Sequence, residues 1–333
     1  MATLLARRFG ALIAVLVGLI FIVFLLQTEI KSDPARAMVG ASASKSAVDA
    51  KRKELGLDKP LPVRFADFMG RLAHGDLQAS LRTRNPVSHD LSSFAPATAE
   101  LAAAAALLAA FIGGGLGLLL AGGGRGARVV KLALMGGASV PPFLTGLALI
   151  LLFYTALRVL PASGWVDDNL IVPKGPTGMP LADGLLHGNF TVFASALAHL
   201  LLPALTLALL PALAIARTLG TSLTGVLGED YVRTARSKGL RERTVIVRHG
   251  LRNAVGPTLT MAGLQLGLLL GGVVVVEQIF AWPGLGMYLD QSIQYSDYPA
   301  IIGTTLVLGT TYIVVNFLVD MAQAWADPRI RTV

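Results

Sequence analysis

Residues Glu229 to Pro257 read EDYVRTARSKGLRERTVIVRHGLRNAVGP. The stretch is dense in Arg and Lys, and it interrupts two long apolar runs. Its reading decides the fold, because it separates two membrane crossings and marks the side on which they are joined. Gly228-Glu229-Asp230 places acids at a helix start, where the helix dipole favours them. Tyr231–Lys238 continues with helix-forming residues, and Gly239 stands where a left-handed residue commonly ends a helix. A second short helix is expected over about Arg241–Arg252. Pro257 then falls at the entrance to the next apolar run, where a missing N–H costs least.

Working outward, the composition supports a membrane class. The chain has 333 residues, 54% hydrophobic and 14% charged, against roughly 25% charged in soluble domains. There is no cysteine, which excludes disulfides, thiolate catalysis and cysteine metal sites. The formal charge of +8 reports cytoplasmic loops more readily than nucleic acid in such a chain. Six runs approach the roughly 20 apolar residues that a spanning helix needs. They lie near Phe9–Thr28, Pro96–Ala121, Val129–Leu157, Phe193–Ala216, Leu259–Ile279 and Ile301–Ala324. Continuous rather than alternating hydrophobicity selects helices over a barrel.

The first run follows Arg7 and Arg8, and Ala35-Arg36-Ala37 resembles a signal cleavage site. The run exceeds a signal core and the A-x-A lies well beyond it, so it is read as a retained span. Lys and Arg cluster before span one, between spans two and three (Arg125, Arg128, Lys131), between spans four and five, and after span six (Arg329, Arg331). These are expected on the cytoplasmic side, with both termini there. Residues 1–28 form the N-terminus and first span. Residues 29–95 form an external subdomain, helical over Asp49–Leu57, amphipathic over Leu61–Leu72 and turning at Gly75-Asp76-Leu77. Residues 96–333 form the transmembrane core, with a cytoplasmic loop expected over about 218–256. Pro161–Asn189 reads as irregular. No internal repeat of the secondary-carrier kind stands out.

A solvated basic loop near anionic lipid is the simplest reading of the 229–257 hairpin. It leaves unexplained the Gly turn and the apolar set Leu240, Val245, Ile246, Val247 and Leu251, which something must cover. A DNA-binding helix-turn-helix is disfavoured by its tether between two spans.

At these residues the chain resembles the cytoplasmic EAA loop of ABC importer permeases. Ala235 and Gly239 match its pattern, whereas Arg233 stands where the general motif has Glu. Tyr231–Leu240 with Asn253-Ala254 and Pro257 resembles the dipeptide/oligopeptide/nickel branch, in its B-type first permease subunit. The resemblance runs through most of the chain. It takes in Gly75-Asp76-Leu77, Ser80-Leu81-Arg82 and Pro86-Val87. It continues through Ser139-Val140-Pro141-Pro142-Phe143, Leu160–Trp165, His199 with Leu202–Leu205, and Glu277–Gly286. Asp297-Tyr298-Pro299 and Asp327–Arg331 complete it.

This resemblance implies an all-α, six-span permease that pairs with a second permease as a heterodimer. Two ABC ATPase subunits, which carry ATP and Mg, and an extracytoplasmic substrate-binding protein would complete the importer. The implied location is the bacterial inner membrane, and no nucleic-acid partner is implied. Arg233, Ala235, Lys238, Gly239, Leu240, Arg241, Glu242, Val245 and Arg248 become the residues expected to couple to the ATPases. The implied cargo is di- or oligopeptides, with nickel, glutathione or oligosaccharide as the alternative.

The chain has no G-x-x-x-x-G-K-[ST] loop, so ATP hydrolysis is expected in partners. Gly113-Gly114-Gly115 and Gly122-Gly123-Gly124 read as close helix packing and a tight turn. No metal ligand set and no catalytic constellation appear. His199 reads first as a packing histidine. Glu277, beside the Trp282-Pro283-Gly284 turn, could cap that turn, line a pathway or meet the binding protein, and intramembrane acids make functional candidates. Glu277, Trp282 and His199 are therefore the pathway or binding-protein candidates. Arg158 and Arg217 sit near span ends, where they can reach the surface. An ion-driven carrier working alone would need cavity-facing acids and a repeat, and a membrane hydrolase would need a catalytic set.

Overall fold

The computed structural model describes residues 2–29, 34–40, 44–54, 56, 58–137 and 140–326. Their regular structure is helical, and the one β pairing among them is an isolated bridge between Ala79 and Pro86. In chain order the helices are α1 (Ala2–Glu29), α2 (Pro34–Val39), α3 (Lys45–Glu54), α4 (Leu61–Ala73), α5 (Val87–Gly122) and α6 (Gly124–Gly137). Next come α7 (Pro142–Leu149), which widens into a π-helix over Ile150–Ala156, then α8 (Pro180–Leu186) and α9 (Phe190–Leu227). The last are α10 (Asp230–Ser237), α11 (Glu242–Thr244) with a π-helical Val245–Leu251, α12 (Arg252–Ile279), α13 (Leu285–Gln294) and α14 (Tyr298–Ala326).

Four stretches are long and apolar enough to cross a membrane: Val87–Gly122, Phe190–Leu227, Glu242–Ile279 and Tyr298–Met321. Phe9–Leu25 and Pro142–Ala156 are shorter apolar helices. The third expected span, Val129–Leu157, is not one helix. α6 ends at Gly137, and α7 starts at Pro142 with Pro141 extended ahead of it (φ −59°, ψ 144°). A proline pushes its predecessor out of the helical region, so the Pro141-Pro142 pair divides the run. Ser139, Leu57 and the closing Asp327–Arg331 motif lie outside the described residues. The 161–189 segment, expected to be irregular, contains α8.

Residues 96–286 and 314–326 form one compact unit. Its centre is α9, with 67% of its apolar window buried against 28% for Glu242–Ile279. α9 lacks a polar face, and helices that are apolar all round go to the middle. α5 reaches it through glycines. A Cβ on Gly113 would stand 2.8 Å from the Ala212 carbonyl oxygen, and one on Gly117 2.8 Å from Leu219. The expected glycine packing is thus carried by Gly113 and Gly117, while Gly114 and Gly115 face open space. Gly123 and Gly124, at φ +69° and +80°, turn the chain from α5 into α6.

Residues 2–95 and 287–313 form the other unit. Phe24 of α1 packs 5.7 Å from Phe68 of α4 and 5.3 Å from Phe65 between ring centres. Ile302 and Leu306 of α14 complete that cluster. The turn before α5 is tied down by two buried acids. Asp297 accepts from the Ser80 hydroxyl (2.5 Å) and the Arg82 N–H (3.1 Å). Asp90 accepts from Thr83, from Asn85 (3.0 Å) and from the Tyr288 hydroxyl (2.9 Å).

Candidate functional site

The 229–257 hairpin is built as a rigid corner. α10 starts after Glu229, with Asp230 in its first turn. It stops at Gly239, whose φ of +76° only glycine adopts cheaply. The Gly239 N–H returns to the Arg236 carbonyl (2.9 Å), and the Leu240 N–H to the Ala235 carbonyl (3.4 Å). That pair of bonds is the Schellman ending.

The second arm departs from the sequence expectation. It is no separate short helix, because Glu242–Ile279 runs as one helix through the π-helical turns. Pro257 lies inside α12, not at its entrance. Proline frees the carbonyl four residues back. That carbonyl belongs to Asn253, and Asn253 and Pro257 are both exposed, so water can satisfy it.

The apolar set is covered in part by the chain itself. Val245 is fully buried with Val232, Ala235 and Leu227. Ile246 and Leu251 pack on Leu219, Leu223 and Ala254. A Cβ on Gly250 would come within 2.7 Å of Leu223, so glycine sets how closely the π-turn approaches α9. Left exposed are Tyr231 (45%), Leu240 (41%) and Val247 (55%).

Arg236 clamps the two arms. Its Nη2 and Nε donate to the Glu242 carboxylate at 2.7 and 3.1 Å, and its Nη1 donates to the Leu227 carbonyl at the end of α9 (3.2 Å). The Asn253 amide donates to the Tyr231 hydroxyl (2.8 Å) and the His249 carbonyl (3.1 Å). Of the expected coupling residues, Ala235, Gly239, Glu242 and Val245 therefore hold the corner. Arg233 pairs with Asp230 at 3.3 Å, and Leu240, Lys238, Arg241 and Arg248 are exposed on it. Arg236, Tyr231 and Asn253 were missed as site residues. Opposite charges either side of a Gly turn, at Arg236 and Glu242, were the available signal.

At the other end of α12 the Glu277 carboxylate is fully buried. Its Oε1 accepts from the Thr98 hydroxyl (2.6 Å) and its Oε2 from the Gly286 N–H (2.6 Å). Trp282, also fully buried, donates its indole N–H to the Ala97 carbonyl (2.8 Å). Glu277 is thus bonded to the turn that follows α12, and Trp282 is bonded to the start of the unit's α5 segment.

His199 lines a cavity of about 620 Å³ together with Tyr154, Thr155, Arg158 and Asp167. Its Nδ1 lies 2.8 Å from the Ser195 carbonyl oxygen, and its Nε2 lies 3.9 Å from Asp167 Oδ1. No His/Asp/Glu group among the described residues could hold a metal.

Long apolar helices, with a polar corner between α9 and α12, mark the chain as a helical membrane protein. The chain belongs to the family of binding-protein-dependent transport system inner membrane components, matching it over residues 98–332; the family's N-terminal component matches residues 1–95. It is 43% identical over 330 residues to the probable D,D-dipeptide transport system permease protein of Escherichia coli, covering 98% of this chain and 97% of that one. It is 42% identical to the di/tripeptide transport system permease protein of Pseudomonas aeruginosa, with 99% of both chains covered. It is 36% identical to the glutathione transport system permease protein of Pectobacterium atrosepticum, covering 98% of this chain and 97% of the relative. This chain is thus an inner-membrane ABC permease component that works with a binding protein and further subunits.

Proposed function

We propose that the chain forms half of the pathway of an ATP-driven importer of di- and oligopeptides. It carries six spans with both termini cytoplasmic, and residues 29–95 form a subdomain on the outer face. A second permease supplies the other half of the pathway, and a binding protein delivers cargo from outside. Two ATPase subunits hold the ATP and Mg and grip the 229–257 hairpin. One observation carries the coupling reading: the hairpin is locked to α9 and α12, yet leaves Tyr231, Leu240 and Val247 exposed amid Lys238, Arg241 and Arg248. An aromatic and aliphatic centre with a cationic rim suits a protein partner. The relatives' names support the peptide cargo, and the glutathione relative keeps that tripeptide as the alternative.

The test replaces Leu240 and Val247 by Asp, which leaves the buried Val245 contact intact. Membrane insertion should persist while co-purification of the ATPase subunits is lost. Full retention of the ATPases would refute the coupling role. Uptake of labelled dialanine against labelled glutathione decides the cargo.

A further inference from the structure

The cavity beside His199 has a polar lining that packing does not explain. Arg158 follows the π-helical Ile150–Ala156 and sits at φ +55°. Glycine or asparagine takes that conformation at less cost. The turn is closed by the Val159 N–H on the Phe153 carbonyl (2.9 Å). The guanidinium has donors on every side, and among the described residues none finds an acceptor within the chain.

Asp167, which lines the same cavity, is held by Ser195. The Asp167 N–H donates to the Ser195 hydroxyl (2.9 Å), which in turn donates to Oδ2 (2.7 Å). Oδ1 is left over. His199 faces the Ser195 carbonyl with Nδ1, and a carbonyl only accepts, so Nδ1 carries the proton. Its Nε2 lies toward Asp167 Oδ1, 3.9 Å away. Asp167 Oδ1 accepts no hydrogen bond among the described residues. Within this lining Asp167 Oδ1 thus lacks a hydrogen-bond donor and the Arg158 guanidinium an acceptor, and these two charges do not pair with each other. An ammonium satisfies Asp167 Oδ1 with its N–H groups, and a carboxylate satisfies the guanidinium fork.

We propose that this cavity binds a small zwitterion, with its ammonium on Asp167 and its carboxylate on Arg158. The occupant is the free dipeptide in transit, an assignment that rests on the peptide-importer reading above. Tyr154 and Thr155 offer hydroxyls to the peptide bond. Anchoring both termini and leaving the side chains alone would pass dipeptides of varied sequence. A phosphatidylethanolamine headgroup presents the same pair of charges and is the other source of that chemistry.

The test uses the whole transporter. Dialanine uptake into proteoliposomes with the loaded binding protein establishes that wild type carries peptide. Failure there ends the peptide reading itself. Saturation-transfer NMR then measures dialanine binding to the transporter in phosphatidylglycerol nanodiscs without the binding protein. Arg158→Asn keeps a residue that suits the left-handed backbone, and Asp167→Asn keeps an oxygen for Ser195.

Each variant should weaken dialanine binding about tenfold, the loss of one charge-assisted hydrogen bond. With N-acetyl-dialanine, which lacks the ammonium, Asp167→Asn should cost nothing more while Arg158→Asn still costs about tenfold. A structural defect would not produce that crossover. Normal wild-type uptake with dialanine binding that is absent, or unchanged in both variants, would overturn the site and leave the importer standing. Complete displacement of dialanine when phosphatidylethanolamine is added to the nanodiscs would assign the cavity to lipid and overturn the cargo site.

Discussion

Replacing Glu277 by Gln separates a cap from a pathway residue, because the bonds around it leave no freedom. Thr98 Oγ1 accepts the Leu285 N–H at 2.7 Å, so its own proton goes to Glu277 Oε1 at 2.6 Å. The Gly286 N–H goes to Oε2. Each carboxylate oxygen thus meets at least one buried donor. Glutamine keeps one acceptor, and its NH2 must face the other donor. One buried hydrogen bond becomes a donor–donor contact, costing about 1–3 kcal/mol. For a unit of this size each kcal/mol is worth about 2–4 °C, so Tm should fall on the order of 5 °C. Thr98→Val should cost a similar amount. The double variant should cost less than the sum, since the glutamine NH2 would then face a methyl group. Thermal unfolding of the purified complex, followed by tryptophan fluorescence, reads all three. A Glu277→Gln variant within about 1 °C of wild type, with uptake reduced, would refute the cap and return Glu277 to the pathway.

Three further outcomes follow from the corner and the 175–189 loop. Gly239→Ala forces an L side chain into φ +76° at a cost of about 1–2 kcal/mol; tryptic cleavage after Lys238 or Arg241 should quicken, and less so for Gly239→Asn. Ala235→Leu overfills the fully packed contact with Val232 and Val245, by about 1–3 kcal/mol; ATPase co-purification should drop while insertion is unchanged. Burial raises the Asp183 carboxyl, but the Thr177 hydroxyl and the Thr177 and Gly178 N–H groups outweigh it and hold it below the ordinary carboxylate range. The stability it contributes is therefore present above the unfolded value near pH 4 and is lost as pH falls through the lower folded value. Proteolysis of the 175–189 loop should be flat from pH 5 to 8 and should rise only in stronger acid.

The apolar runs were legible because burial in lipid demands length and continuity, which one window of sequence displays. The corner was legible at Gly239 because a left-handed stop has few residue choices. Its second arm was misread because proline marks a helix boundary only when the freed carbonyl has nowhere to go, and Asn253 is exposed. The break at Pro141-Pro142 was overlooked because the apolar run continues on both sides of it. The acid networks were illegible for another reason: Asp297 and Ser80 stand 217 residues apart, and Asp90 and Tyr288 stand 198 apart. No periodicity links such pairs. The same holds for Arg158, Asp167 and His199, which looked like a snorkelling cation, a loop acid and a packing histidine until the fold gave them one cavity.

The uninterrupted helix from Glu242 to Ile279 joins two places that chemistry would treat separately. Its 38 residues, at 1.5 Å rise each, make a rod of about 57 Å. One tip is seized by Arg236 in the corner, and the other ends at the Glu277 latch. A tilt of about 10° around its midpoint would swing each tip by about 5 Å in opposite senses. A push on the corner therefore need not be relayed from residue to residue to be felt at the latch, and the π-helical turns beside Gly250 are where such a rod would bend first.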